Sequence, residues 1–100
     1  MFIAMNRFRI APGFEDAFVQ MWRERDSRLQ DVPGFRQFHL LRGDTDAEST
    51  TFISHSTWES RGLFQAWTES DVFRQAHAKS RAPEGMYLGP PRFEGYEIAL

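Results

Sequence analysis

The stretch from Phe35 to Trp58, FRQFHLLRGDTDAESTTFISHSTW, decides the fold. Phe35 to Arg42 alternates as a strand does, with Phe38 and Leu40 on one side and His39 and Leu41 on the other. Gly43 to Ser49 (GDTDAES) is a polar hairpin loop. Thr51 to Trp58 follows as a second strand, rich in Thr, Phe and Ile. Two strands joined by so short a loop pair antiparallel.

Working outward from this hairpin gives the flanking elements. Residues 2–10 alternate, with Phe2, Ala4, Asn6, Phe8 and Ile10 on one face and Ile3, Met5, Arg7 and Arg9 on the other. Ala11-Pro12-Gly13 is a turn. Phe14, Ala17, Phe18, Met21, Trp22, Arg25 and Leu29 then recur as one face of an amphipathic helix of about four turns. Val32-Pro33-Gly34 ends that element. Beyond the hairpin come two short helices. Ser60 caps the first, whose apolar face is Leu63, Phe64 and Trp67. Ser70, followed by Asp71, caps the second, whose face is Val72, Phe73, Ala76 and His77. Residues 82–91, with three Pro and two Gly, read as a long loop or flap. Phe93 to Leu100 reads as the last strand, with Gly95 marking a bulge.

The order is β-α-β-β-α-β within one domain spanning residues 1–100. The standard solution is an α+β ferredoxin-like sandwich, an antiparallel sheet with helices on one face. The other face also carries alternating apolar residues and needs cover. A partner subunit can supply it, giving a homodimer whose sheets pack into a barrel.

Composition excludes several classes. The chain is 41% hydrophobic with ten Phe and three Trp, enough to build a core, so disorder is excluded. A formal charge of −2 argues against nucleic acid held by a broad basic field. The absence of Cys removes disulfides, thiolate metal sites, iron–sulfur clusters and a Cys nucleophile together. No signal peptide and no membrane-spanning run is present, so a cytoplasmic protein without a membrane partner is expected. Eleven of the twelve basic residues are Arg. This fits a high-GC genome, and also a cavity for a flat, acidic, aromatic ligand. There is no phosphate-binding Gly-rich loop, no G-x-S-x-G and no H-E-x-x-H.

A few residues stand out against this pattern. Asn6 lies on the apolar face of the first strand, where a buried amide needs partners. It either bonds a neighbouring loop or faces a ligand cavity. His77 lies on the apolar face of the last helix, as a satisfied groove residue, an iron ligand or a general base. Trp67, like Trp22 and Trp58, sits at positions that suit core packing, and Trp67 also suits a cofactor wall. The acidic pairs Glu15/Asp16 and Asp44/Asp46 read as solvated or dipole-stabilising charges. His39 and His55 read as polar or solvent-facing.

The local sequences around these residues resemble a known family. The stretch FISHSTWESRGLFQAWTESDVFRQAHAKSR, Phe52 to Arg81, is similar to the strand and helix region of the antibiotic-biosynthesis-monooxygenase superfamily. Within it, the stretch looks like that of the non-canonical haem-degrading enzymes of the IsdG type. Those enzymes share a W-x-S, an F-x-x-W, an S-x-x-F and an A-H in this order. AMNRFRI, around Asn6, resembles their Asn-bearing first strand, and PGFRQFHLLRG, Pro33 to Gly43, their second strand.

The resemblance implies a catalytic Asn/Trp/His set, which falls on Asn6, Trp67 and His77. It also implies a haem pocket lined by the first helix, at positions matching Trp22 and Arg25, with Arg25 near a propionate. His77 would ligate the iron, Asn6 would orient dioxygen on the opposite face, and Trp67 would press on the porphyrin and favour a ruffled ring. The expected activity is opening of haem to a linear tetrapyrrole with release of iron. It would consume O2 and electrons from an external reductase. Two other readings stand beside it. One is a cofactor-independent monooxygenase of the same superfamily acting on a quinol or polyketide aromatic. The other is a non-catalytic haem-binding protein.

Overall fold

The computed structural model describes residues 1–25, 28–79 and 82–100. Its elements, in chain order, are β1 (Phe2–Ile10), α1 (Glu15–Glu24), a 3-10 turn (Leu29–Asp31), β2 (Phe35–Thr45), β3 (Thr50–Trp58), α2 (Arg61–Thr68), α3 (Asp71–Lys79) and β4 (Arg92–Glu97). The sheet order is β2-β3-β1-β4, with every neighbouring pair antiparallel. This is the expected α+β ferredoxin-like arrangement.

The alternation of β1 sets the interior. Phe2, Ala4, Phe8 and Ile10 are buried. On β3, Phe52, Ser54, Ser56 and Trp58 are buried on the same face. The apolar side chains form two clusters rather than one. Phe8, Ile10, Phe18, Phe52 and Met86 make the first; Phe2, Ala4, Leu29 and Trp58 make the second. Each fully buried Phe contributes roughly 1.5–3 kcal/mol. Asn6 lies on β1 between Ala4 of one cluster and Phe8 of the other. Its strand neighbours are Ser54 and Phe93. The middle of the sheet thus carries small side chains, Ala4, Ser54 and Ser56, between large aromatics towards the strand ends. That grading leaves a hollow over the sheet centre.

Several expectations are corrected. The first helix ends at Glu24, and Arg25 has an extended backbone, with its N–H 3.3 Å from the Trp22 carbonyl. Leu29 belongs to the separate 3-10 turn, where it joins Phe2 and Trp58 in the second cluster. Asp26 and Ser27, inside the expected helix, and Ser80 and Arg81, at the end of the quoted motif, lie outside the described residues. Within the expected 82–91 flap, Met86 is fully buried. The Ala11 N–H donates to the Met86 carbonyl at 2.9 Å, and Tyr87 bridges Ile10. This segment is docked on the edge of β1, beyond the end of β4. The last strand stops at Glu97, short of Leu100.

Gly95 marks no bulge, since the β1–β4 register runs without a shift. A Cβ there would sit 2.8 Å from Phe2 Cζ, so glycine is required by close approach. Gly34 is required twice over. Its φ is +86°, and a Cβ would meet the Leu63 side chain at 2.6 Å. That contact sets α2 tightly against the turn before β2.

Both helix caps form as expected. The Ser60 hydroxyl accepts from the Leu63 N–H at 3.2 Å, and the Ser70 hydroxyl from the Phe73 N–H at 3.2 Å. Two of the acidic residues do more than solvate. The Glu15 carboxylate accepts from the Gly13 N–H at 2.9 Å and the Thr50 hydroxyl at 3.0 Å. Asp46 closes the hairpin by accepting from the Glu48 and Ser49 N–H groups at 2.8 and 2.9 Å. No described helix is long and apolar enough to cross a membrane.

Candidate functional site

The hollow over the sheet centre is a cavity of about 640 Å³. Sites for small organic ligands typically span roughly 300–1,000 Å³. Its floor is the row of small residues, Ala4, Ser54 and Ser56, with Asn6 among them. Trp22 and Arg25 come from the end of α1, Trp67 from α2, and Ala76 and His77 from α3. All five site residues expected from the sequence therefore line one cavity.

Asn6 is half-buried. Its side-chain amide makes no hydrogen bond to the described residues, so it is not used to bond a neighbouring loop. A donor and an acceptor are left at the cavity floor.

His77 is exposed on the outer turn of α3. Its Nδ1 lies 2.9 Å from the Phe73 carbonyl oxygen, one helical turn back. A carbonyl only accepts, so Nδ1 carries a proton, and in the neutral ring this leaves the lone pair on Nε2. The ring also packs on Phe73 at 3.9 Å between centroids. The imidazole is thus oriented by a hydrogen bond of the kind that prepares a metal-ligating histidine. Beside it, Ala76 is small and buried. The described residues contain no cluster of three or more His, Cys, Asp or Glu able to hold a metal ion.

Trp67 and Trp22 differ from Trp58. Trp58 is fully buried, and its indole N–H donates to the Ser56 hydroxyl at 2.9 Å. The indole nitrogens of Trp67 and Trp22 are also buried, but have no hydrogen-bond partner among the described residues. An orphaned buried donor costs about 1–3 kcal/mol. Both orphans belong to the cavity wall, where local rules give way to binding requirements. Trp67 is held in an aromatic cage by Phe73 at 4.8 Å, Trp58 at 5.2 Å and Phe64 at 6.0 Å.

Arg25 reaches the cavity through its extended backbone rather than along a helical face. Its guanidinium lies 4.1 Å from the Trp22 ring centroid. Trp22 in turn stacks on Phe38, 5.5 Å away at 21°. Burial pushes the Arg25 pKa below its ordinary value, with the nearby Tyr87 opposing that shift. Burial raises the Tyr87 pKa in turn. A desolvated cation of this kind gains most from a bound anion.

The lining chemistry is one-sided. Beside apolar and aromatic groups it presents Arg25, Arg61 and His77, and none of the described lining residues is Asp or Glu. The arrangement suits a flat aromatic molecule that carries negative charge.

Arg61, Phe38, Phe64 and Phe73 were not singled out by the sequence as site residues. The three Phe fall at ordinary core spacing and give no separate signal. Arg61 did leave one, because a cation directly after a helix cap opposes the helix dipole.

Comparison with known proteins agrees with the fold. A haem oxygenase (staphylobilin-producing) of Staphylococcus haemolyticus is 27% identical over 77 residues, covering 77% of this chain and 73% of its own. Among solved structures, the haem degrader MhuD of Mycobacterium tuberculosis, with two haems bound in its active site, matches with a TM-score of 0.76. It is 26% identical, and the match covers 100% of this chain and 97% of that one. A mutant of MhuD with two manganese protoporphyrin IX molecules bound per active site matches with a TM-score of 0.78 at 25% identity, covering 100% and 96% of the two chains. The family model described as antibiotic biosynthesis monooxygenase matches residues 1–79. On that match, the chain belongs to the antibiotic biosynthesis monooxygenase family.

Proposed function

We propose that this protein is a haem-degrading monooxygenase, which binds haem and opens it to a linear tetrapyrrole with release of iron. The observation that carries the reading is the meeting of Asn6, Trp67 and His77 in one cavity that has no carboxylate among its described lining residues. The names of the relatives and structural neighbours described above support the same chemistry. Haem, as substrate, supplies both the metal centre at which O2 is reduced and the meso carbons that are oxidised.

The chain's own residues divide the remaining work. His77 holds the iron through Nε2, with Nδ1–H tied to the Phe73 carbonyl. Asn6, on the cavity floor, would donate its amide N–H to oxygen and orient it. Trp67, braced by Phe64, Phe73 and Trp58, presses on the ring plane and favours its distortion. Trp22 and Arg25 close the wall, with Arg25 facing a propionate. The aromatic lining excludes water from the ring.

The reading carries further parts with it. An external reductase supplies the electrons, in the cytoplasm. The folding unit is one domain spanning residues 1–100. The protein works as a homodimer, with the uncovered sheet faces packed together as a barrel.

Hemin titration tests this proposal. The protein should produce a Soret shift, and His77→Ala should abolish it. In air, with ascorbate or a reductase, the Soret band should disappear and a ferrous chelator should capture iron. Asn6→Ala should retain the Soret shift but lose turnover. Haem that survives these conditions would indicate a carrier, and the absence of any Soret shift would reject both haem readings.

A further inference from the structure

We propose that Arg61 is a second carboxylate anchor of the cavity, so that with Arg25 it selects a planar aromatic ligand bearing two carboxylates. The inference rests on the haem-degrading reading and specifies what that site recognises.

Arg61 is the first residue of α2 and lines the cavity. Its guanidinium lies 5.3 Å from the Phe2 ring centroid. Arg7, Arg9, Arg36 and Arg74 each pair with a carboxylate, on Glu94, Glu48, Glu59 and Asp71 respectively. Arg61 pairs with none among the described residues; neither do Arg23, Arg28, Arg42 and Arg92, but of these five only Arg61 lines the cavity. The chain has 14 acidic residues against 12 basic ones, so carboxylates are not scarce. Their absence among the described lining residues of the cavity is local.

The position itself disfavours a cation. The start of a helix carries a partial positive charge, which acidic residues ordinarily offset. The first turn of α2 holds no acidic residue and holds Arg61 instead. Arg61 thus adds positive charge to a positive helix end, with no counter-ion among the described residues and only the weak attraction of the Phe2 ring to offset it. A bound carboxylate relieves both conditions at once, and the guanidinium fork can hold it through two hydrogen bonds.

The two anchors stand in different parts of the wall. Arg25 stacks on Trp22, which stacks on Phe38 of β2. Arg61 lies over Phe2, whose neighbour Phe64 stacks on Phe93 of β4 at 5.7 Å. Strands β2 and β4 are the opposite edges of the sheet. A floor of small residues between aromatic walls, with a cation towards each side, matches a dicarboxylate better than a neutral quinol.

The test compares binding of hemin and of hemin dimethyl ester, read by the Soret shift and by tryptophan fluorescence quenching. The variant is Arg61→Met, which keeps the apolar stem over Phe2. Arg61→Met should weaken hemin binding by about tenfold or more, as loss of a charge-assisted bidentate contact does. The same variant should bind the dimethyl ester as tightly as the unaltered protein, which also shows that the cavity is intact. Equal hemin affinity in the two proteins would overturn the proposal. So would an equal loss for hemin and ester, because that marks a packing role over Phe2. If the unaltered protein binds neither, the haem-degrading reading fails and this inference with it. If it binds hemin and Arg61→Met changes nothing, only the anchor fails.

Discussion

The three tryptophans show how one residue type serves different ends. Trp58 is fully buried and donates to Ser56, whereas Trp67 is half-exposed and keeps its N–H without a partner among the described residues. Replacing Trp58 with Phe removes a satisfied hydrogen bond and opens a void in a closed cluster. Replacing Trp67 with Phe removes an orphaned donor beside an existing cavity. The expected outcome is a larger loss for Trp58→Phe, by about 1–3 kcal/mol. Thermal unfolding of the ligand-free protein measures it; equal losses would mean that Trp67 is an ordinary core residue. The sequence carried part of this distinction. Helical and strand spacing placed all three indoles inward, but spacing does not say whether an indole N–H finds an acceptor. That depends on Ser56, two residues before Trp58 on the same face of β3. Arg61 was passed over for a related reason, since a charge at a helix start normally points to water.

At the scale of elements, local periodicity read well where the pattern and the packing coincide. The strands and the two capped helices lie where alternation, helical spacing and Ser caps put them, except that β2 runs on to Thr45, inside the expected loop, and β4 stops at Glu97. The reading failed where a distant contact decides. The pattern that continues through Arg25 to Leu29 is compatible with one long helix, yet the chain leaves the helix after Glu24 and Leu29 packs with Phe2 and Trp58 instead. Met86 sits among turn-forming residues, and its burial comes from Phe8, Ile10, Phe18 and Phe52, all far away in sequence. The Glu15 carboxylate joins elements in the same long-range way, tying the start of α1 to Thr50 at the start of β3. Its pKa is lowered chiefly by its own backbone N–H and then by the Thr50 hydroxyl; burial opposes them, and the Gly13 N–H and Arg42 add smaller lowering effects. The folded state therefore binds this proton less readily than the unfolded chain. The associated stability is present above the ordinary Glu pKa and is lost as pH falls through the lowered folded value. Thermal midpoints followed into the acid range should fall less steeply for Glu15→Gln than for the unaltered protein. Parallel acid limbs would remove Glu15 from this role.

At the scale of the molecule, the sheet is the organising fact. One face carries the helices and the cavity. The other carries Ile3, Met5, Leu41, Ile53 and Tyr96, and no described element covers it. Leu41 is 41% exposed and Tyr96 50% exposed. His39 and His55 face each other across β2 and β3 on this same side, with ring centroids 6.4 Å apart. A second copy is the occupant proposed above, because a sheet face of matching pleat and twist packs on itself about 10 Å away with its side chains interleaved. Ile53 gives a direct test. It lies on inner strand β3, between Leu41 of β2 and Arg7 of β1. In Ile53→Glu, the new carboxylate stands on a face open to solvent in the single chain, next to the Arg7–Glu94 pair, so the single chain keeps it hydrated and stays folded. Across a dry interface, each copy would instead bury an extra negative charge, at a cost of several kcal/mol per ion. Light scattering should therefore give twice the chain mass of 11.7 kDa for the unaltered protein and the single-chain mass for Ile53→Glu. A single-chain mass for both would show that the face is open in solution. A dimer for both would place the interface elsewhere.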